Sequence, residues 1–293
     1  MMYQMYVFGD SFADTGNLPK SELSLASRQW YKPYGTPSPS VDASQTTFVQ
    51  SDSIGTWLEL REGPQTFRFR KNYISGFGMN FAVAGSGVLE VPQKVPTLTK
   101  QVDQFKELIK NGTIPKWRLR SPRGKGFRRL QDLGVERILV NNMHPLGRTP
   151  LRTRASNYKC CDDSANVVAS THNQLLAEKM GNYRGNVMLL DLNTAFSMMI
   201  SSSPAPVHAV KNDNDRVKLF KNKLRPSCES FDPKGYCGQE DENGRPRYSI
   251  TDLGEDRFAN FYWDDVHPTD GGWSMALMLL KDDIKDFLDL LST

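Results

Sequence analysis

The sequence contains no apolar run of the length needed to cross a membrane, which takes about 18 residues or more. It also lacks a large excess of one charge, since 37 Lys and Arg stand against 33 Asp and Glu, for a net charge of +4. This balance does not by itself indicate a nucleic-acid partner. With 293 residues, 38% of them hydrophobic, the chain can bury a substantial core, and we expect one domain over 1–293.

Cysteine is scarce, and its four positions include no C-x-x-C pair of the kind that binds metal: Cys160, Cys161, Cys228 and Cys237. We therefore expect no metal site. Cys228 and Cys237 flank a loop rich in Pro, Gly and Asp. They are either bridged, if the compartment is oxidising, or free thiols in a loop.

The periodicity of the apolar residues predicts an α/β protein. Strand-like runs recur at 3–8, 77–83, 137–142 and 187–192. Helical spacing of apolar residues lies between and after them, at 98–109, 165–180 and 273–291. This alternation is typical of βαβ units around a parallel sheet. Segments 31–47 and 201–250 have no sustained periodicity, so they are predicted to be long surface connections.

The stretch Y-V-F-G-D-S-F-A-D-T-G-N at 6–17 places Ser11 at the carboxyl end of the first predicted strand. Ligands of open α/β sheets bind at that edge. Ser11 is either a polar residue of an ordinary turn or a catalytic nucleophile. A serine nucleophile needs a base within hydrogen-bond reach, and that base benefits from an acid that orients it.

His267 is the first candidate for this base. In F-Y-W-D-D-V-H-P-T-D-G-G-W it follows Asp264 by three residues, in a loop that Pro268 keeps out of the following helix. One turn of chain can then bring the Asp264 carboxylate to one imidazole nitrogen while the other nitrogen faces outward. Asp265 is a poorer partner because it lies only two residues away.

The other three histidines are weaker candidates. His144, in N-N-M-H-P-L-G, follows a strand and is a second candidate for a place in the crevice. His172 lies in a helical pattern. His208 lies in a long loop and has no acidic neighbour in the sequence.

Four segments together resemble the plant GDSL esterase/lipases of the SGNH hydrolase superfamily. They are F-G-D-S-F-A-D-T-G-N near the N-terminus, G-M-N-F-A-V-A-G-S-G-V at 78–88, L-G-V-E-R-I-L-V-N-N-M-H-P-L-G-R-T-P at 133–150 and W-D-D-V-H-P-T at 263–269. The resemblance implies a flavodoxin-like α/β/α sandwich with a parallel sheet. It also implies hydrolysis of carboxylic esters, lipid esters included, without a cofactor.

Carried over to this chain, the resemblance implies that Ser11 is the nucleophile, His267 the general base and Asp264 its orienting acid. The backbone N–H groups of Ser11 and Gly85 would form the oxyanion hole. The expected partner is a small-molecule or lipid ester. The protein would be extracellular by resemblance, although we expect no signal peptide within this chain, and cytoplasmic if the chain is complete as given.

The chain departs from the family in one block. The G-x-N-D-type third block, which follows a central strand and supplies an asparagine donor to the oxyanion hole, is absent. Its place is taken by 116–129, where half of the positions are Lys or Arg. The sheet must then close by pairing its first strand with the strand at 137–142, use residues 117–130 as a substitute, or fold badly. The chain is predicted to be a serine ester hydrolase that forms an acyl-enzyme on Ser11, with its activity either retained or impaired by this loss. The alternatives are an inactive relative that binds an acyl or glycan ligand and, from another class, nucleic-acid binding through 116–129.

Overall fold

The computed structural model describes residues 3–22, 49–61, 63–71, 76–92, 94–115, 128–181, 185–201, 220–251 and 259–290. The chain divides into two compact units, Met1–Glu136 and Arg137–Thr293. Both units mix helices with parallel strands, as the α/β prediction requires. One domain over the whole chain stays a prediction.

Unit 1 contains a three-stranded parallel sheet. Its strands are β1 (Met5–Val7), β2 (Gln65–Thr66) and β3 (Gly78–Asn80), in the order β1-β3-β2. Its helices are α1 (Gln50–Trp57), α2 (Leu98–Lys110) and α3 (Arg128–Asp132). The strand predicted at 3–8, the strand at 77–83 and the helix at 98–109 are thus confirmed.

Aromatic rings form the core of unit 1. Phe105 of α2 packs against Tyr6 and Phe8 from the β1 segment, with ring centroids 4.6 and 5.7 Å apart, and against Phe81 at 5.8 Å. Phe81 also stacks on Phe8 at 5.3 Å. Large buried rings contribute strongly to stability, and these fasten α2 to the two strands that precede the candidate site loops.

Unit 2 contains the remaining strands and helices. Its strands are β4 (Ile138–Asn141), β5 (Val187–Leu190), β6 (Asn222–Pro226), β7 (Cys228–Ser230), β8 (Tyr248–Ile250) and β9 (Asn260–Tyr262). Its helices are α4 (Pro150–Thr153), α5 (Asp163–Met180), α6 (Leu192–Ile200) and α7 (Asp270–Phe287). Strands β4 and β5 pair in parallel, as do β6 and β9, whereas β7 and β8 are antiparallel.

The core of unit 2 is also aromatic and joins α6, β9 and α7. The ring of Phe196 lies 5.1 Å from that of Phe261 and 5.5 Å from that of Trp273. Gly272 allows α7 to approach β9 closely, because a Cβ at this position would lie 2.6 Å from the backbone oxygen of Phe261. The start of α7 is therefore held against β9, which directly precedes the Asp264 loop.

The prediction of a long surface connection at 201–250 is wrong for its described part, 220–250, while 202–219 lie outside the described residues. This segment includes β6, β7 and β8, and a disulfide joins Cys228 to Cys237 with their Cα atoms 5.6 Å apart. These strands are too short for periodicity to reveal them, and β6 gains its hydrogen bonds from a strand far along the chain. Cys228 and Cys237 are therefore bridged, which is one of the two alternatives left open by the sequence. Cys160 and Cys161 are free and exposed.

The region of the missing third block is described only at its ends. Between α2 and β4 the described residues include helix α3 and no strand. Most of the basic segment, 116–127, lies outside the described residues, as does the predicted connection at 31–47. Within the described parts of the chain, none of the helices is both long enough and apolar enough to span a bilayer.

We expect Phe105→Ala to lower the free energy of unfolding by about 3–5 kcal/mol, because it leaves a cavity among the rings of Tyr6, Phe8 and Phe81. Urea denaturation measures the change. Lys106→Ala, at the next and exposed position of α2, is the matched control and should leave stability nearly unchanged. Equal effects of the two substitutions would contradict this assignment of the core.

Candidate active site

Ser11 lies in a tight turn directly after β1. The backbone N–H groups of Ala13 and Asp14 both donate to the carbonyl oxygen of Asp10, at 3.1 and 2.9 Å. The Asp10 side chain accepts from the N–H of Phe12 at 3.0 Å. Ser11 is thus part of a turn at the carboxyl end of a parallel strand and is partly buried.

Asp14 joins the Ser11 turn to the loop that contains Gly85. Its side chain is 2% exposed. One carboxylate oxygen accepts from the backbone N–H groups of Gly16 and Asn17, at 2.8 and 2.6 Å. The other accepts from the N–H of Ala84 at 2.7 Å. Burial raises the pKa of Asp14, and these backbone hydrogen bonds act against that rise.

Gly85 occupies a backbone conformation that suits glycine. Its φ is 81°, in the left-handed region, and the N–H of Ser86 closes the turn on the carbonyl of Val83 at 3.0 Å. The two residues predicted to form the oxyanion hole, Ser11 and Gly85, therefore lie in two loops of unit 1 that the Asp14 carboxylate connects.

Gln101 of α2 also joins the segment of Ser11 to the loop of Gly85 through hydrogen bonds. Its side chain is 0% exposed. It accepts from the N–H of Gly9 and donates to the carbonyl oxygen of Gly9, both at 2.8 Å, and it donates to the Ser86 hydroxyl at 3.1 Å. One buried amide thus satisfies both backbone groups of Gly9 and contacts the residue after Gly85.

Asp264 and His267 are joined in unit 2 by a loop that folds back on itself. The Nδ1 atom of His267 lies 2.8 and 3.0 Å from the two carboxylate oxygens of Asp264. The same carboxylate accepts from the backbone N–H groups of His267 and Val266, at 2.7 and 2.8 Å. Both side chains are buried, each residue being 7% exposed.

The electrostatics of this pair favour an ionised carboxylate. Burial opposes ionisation of Asp264, but the charge of His267 and the hydrogen bonds from His267 and Val266 prevail, and the pKa of Asp264 is lowered. An Nδ1–H that donates to the carboxylate leaves Nε2 as the basic nitrogen of the ring. The arrangement can accept and return one proton at Nε2.

Strand β7 and helix α7 hold this loop from both sides. The N–H of Cys228, one end of the disulfide, donates to the carbonyl of Trp263 at 2.7 Å. The N–H of Trp263 donates to the carbonyl of His267 at 2.8 Å. Beyond the loop, the Thr269 hydroxyl caps α7 by accepting from the N–H of Gly272 at 2.9 Å.

Asp265 directly follows the carboxylate that binds the His267 imidazole. Its backbone oxygen accepts from the N–H of Leu151 at 2.9 Å. Burial, with the adjacent charge of Asp264, raises the pKa of Asp265 to about 6, and the nearby Arg154 partly counteracts this. Asp264, and not Asp265, is therefore the partner of His267.

The remaining histidines differ in their surroundings. His144 is buried, with its ring centroid 5.7 Å from that of Phe196, and burial together with the charge of His267 lowers the pKa of His144 to about 4. His172 is exposed on α5. His208 lies outside the described residues.

Sequence reasoning missed the residues that position the loops. Asp14 and Gln101 carry no catalytic signature, although Gln101 stands at a core-facing position of an amphipathic helix, where a polar side chain signals a buried hydrogen bond.

In the described parts of the chain, no cluster of three or more His, Cys, Asp or Glu side chains is arranged to hold a metal ion. Ser11 and Gly85 belong to unit 1, and Asp264 and His267 to unit 2.

We expect Asp14→Ala to lower the free energy of unfolding by about 2–4 kcal/mol, because it leaves several buried N–H groups without an acceptor. Urea denaturation provides the measurement. Asp103→Ala is the control, since Asp103 forms an exposed ion pair with Arg129 at 2.5 Å and such pairs contribute little. A loss for Asp14→Ala no larger than that of the control would contradict the linking role of Asp14.

His144 predicts a pH dependence of stability. Its folded-state pKa of about 4 lies below the ordinary value of 6.5, so the unfolded chain binds more protons between these two values. The contribution of His144 to stability is therefore present above pH 6.5 and lost as the pH falls toward 4, by up to about 3 kcal/mol. Urea denaturation of the wild type and of His144→Gln across this range measures it. A difference between the two proteins that does not change with pH would refute the assignment.

No protein-family model matches the chain. It is similar, however, to several curated proteins of Arabidopsis thaliana that are named GDSL esterase/lipase. Two are each 27% identical to it, over 96% of this chain and over 86% and 88% of their own lengths. A third is 26% identical, over 97% of this chain and 95% of its own length.

These alignments span 327, 330 and 333 residues, more than the 293 of this chain, so the relatives contain segments that have no counterpart here. The relatives imply the SGNH hydrolase fold, which is α/β, and the parallel ladders of both units agree with it. Along nearly its whole length, the chain is thus similar in sequence to plant proteins named GDSL esterase/lipase.

Proposed function

We propose that the protein is a serine ester hydrolase that forms an acyl-enzyme on Ser11. The observation that supports this most is the Asp264 carboxylate bound to Nδ1 of His267 at 2.8 Å, in the loop where the sequence pattern requires an acid and a base. The kinship with proteins named esterase/lipase supports a hydrolase of the same broad class.

In the first half of the reaction, the Ser11 hydroxyl oxygen attacks the carbonyl carbon of the ester. His267 accepts the hydroxyl proton at Nε2, and Asp264 stabilises the imidazolium through Nδ1–H. The backbone N–H groups of Ser11 and Gly85 donate to the oxyanion. When the tetrahedral intermediate collapses, the carbon–oxygen bond to the alcohol breaks, and His267 returns the proton to the leaving alkoxide.

In the second half, His267 removes a proton from a water molecule, whose oxygen attacks the acyl carbon. When the second intermediate collapses, the bond to Ser11 breaks, the carboxylic acid leaves, and His267 returns its proton from Nε2 to the Ser11 oxygen, which restores the hydroxyl. Asp264 remains ionised throughout, and its lowered pKa supports that role. The substrate is a small acyl ester or a lipid ester.

A second candidate is a relative without turnover that binds an acyl or glycan ligand. The absence of the third block favours it, because loss of one oxyanion donor costs roughly 10²–10³ in turnover.

Secretion is also part of the proposal and is supported by the disulfide between Cys228 and Cys237, since such bonds persist in oxidising compartments.

The catalytic roles predict a clear substitution pattern. Ser11→Ala and His267→Ala should each lower the kcat of p-nitrophenyl butyrate hydrolysis by about 10⁴-fold or more, down to the level of residual catalysis, because each removes an essential step of proton or acyl transfer. Asp264→Asn should lower it by about 10⁴-fold through the wrong imidazole tautomer. Initial rates on purified, folded chain give these values.

His144→Ala is the matched control, a buried histidine of the same unit that takes no part in the proposed steps. It should retain most of the activity. A loss equal to that of His267→Ala would overturn the choice of base. A folded wild type no more active than Ser11→Ala would favour the ligand-binding relative.

A further inference from the structure

A cavity of about 280 Å³ in unit 1 combines apolar walls with an excess of positive charge. Six of its lining residues are largely apolar: Leu18, Pro19, Phe67, Val83, Val95 and Pro96. Leu18 and Val83 are buried and pack with Ala84 and Val95 as a small cluster, so the apolar part has a fixed shape. The volume is near the lower end of ligand cavities, which suits a small molecule.

The rim of this cavity contains three cations and one acid. Arg68, Arg70, Lys94 and Glu22 all line it. Within the described parts of the chain, neither Arg70 nor Lys94 forms an ion pair with a carboxylate. The excess of positive charge is therefore available to an anion.

Arg70 is already held in place before any ligand arrives. Its guanidinium carbon lies 3.9 Å from the ring centroid of Phe67, and one of its N–H groups donates to the Phe67 carbonyl at 3.1 Å. A guanidinium has five N–H donors in a rigid plane, so donors remain for a bidentate acceptor. Because the side chain is already ordered, binding costs less conformational entropy.

The floor of the cavity is connected to the loop of Gly85. Asn17 lines the cavity and donates to the carbonyl oxygens of Asn80 and Ala82, both at 2.8 Å. It also accepts from the N–H of Arg68 at 2.9 Å. Val83 is another lining residue and begins the turn that contains Gly85.

We infer that this cavity is a binding site for a small organic carboxylate with an apolar body. The planar carboxylate fits the fork of Arg70, and Lys94 adds a second positive charge at the same rim. The apolar body fits against Leu18, Val83 and Val95. A free inorganic anion would leave the apolar walls exposed, and a neutral apolar molecule would leave the cations unpaired, so the site favours a molecule that has both parts.

The test is a ligand-observed NMR titration of the full chain with hexanoate. Hexan-1-ol, which has the apolar chain without the charge, and inorganic phosphate, which has charge without an apolar chain, are the control probes. Hexanoate should bind with a dissociation constant in the millimolar range, and the other two should bind at least about tenfold more weakly. Equal binding of hexan-1-ol or phosphate would overturn the inference.

Variants assign the signal to this cavity. Arg70→Gln should weaken hexanoate binding roughly tenfold and Lys94→Asn about threefold, asparagine being suited to the φ of 54° at this exposed position. Lys100→Gln, an exposed lysine outside the cavity lining, is the control and should bind as the wild type does. Undiminished binding in both cavity variants would refute the site. If Arg70→Gln proved unstable, undiminished binding in Lys94→Asn would refute it.

The catalytic proposal is tested apart from this one. Ser11→Ala should bind hexanoate as the wild type does, because Ser11 is not among the lining residues. Binding that is lost in Ser11→Ala and kept in the two cavity variants would place the carboxylate at the serine instead and overturn the inference. Failure of ester hydrolysis would leave the binding result unaffected.

Discussion

A carboxylate buried away from water is stable only when donors surround it, and the Asp264 carboxylate meets this condition through its own loop. Three N–H groups within three residues, two from the backbone and one from the imidazole of His267, converge on it. The same constraint that keeps the charge buried therefore orients the ring. Asp14 repeats the principle in unit 1, where its backbone donors come from two loops and join them.

Both carboxylates depend on aromatic cores that hold the surrounding elements. Phe105 fastens α2 to the β1 and β3 segments, which places Gln101 beneath Gly9 and Ser86. In unit 2, Phe196 packs against Phe261 of β9 and Trp273 of α7, the two elements on either side of the Asp264 loop. The polar geometry of the candidate site is thus a consequence of apolar packing several residues away.

The errors of sequence reasoning have one physical cause. Strands β6, β7 and β8 lie in a segment predicted to be a loop, because each is short and finds its partners through tertiary pairing and a disulfide. In the sequence, Gln101 likewise only interrupts the apolar face of a helix. Its role is visible in the structure, where its side chain forms hydrogen bonds with the backbone of Gly9. Longer elements such as α5 and α7 were predictable, because a helix forms its hydrogen bonds locally and its apolar period is visible in the chain.

The sequence by itself determined the α/β class, the strands that precede the candidate loops, and the choice of Asp264 as the partner of His267, since residues three apart can meet within one turn of the chain. Only the tertiary structure decided which side chains stabilise those loops and which charges share a cavity. Asp14 binds the N–H of Ala84, and Arg68 and Arg70 line one cavity with Lys94, across long separations in sequence. Such contacts are chosen by packing of the whole unit, and no local pattern encodes them.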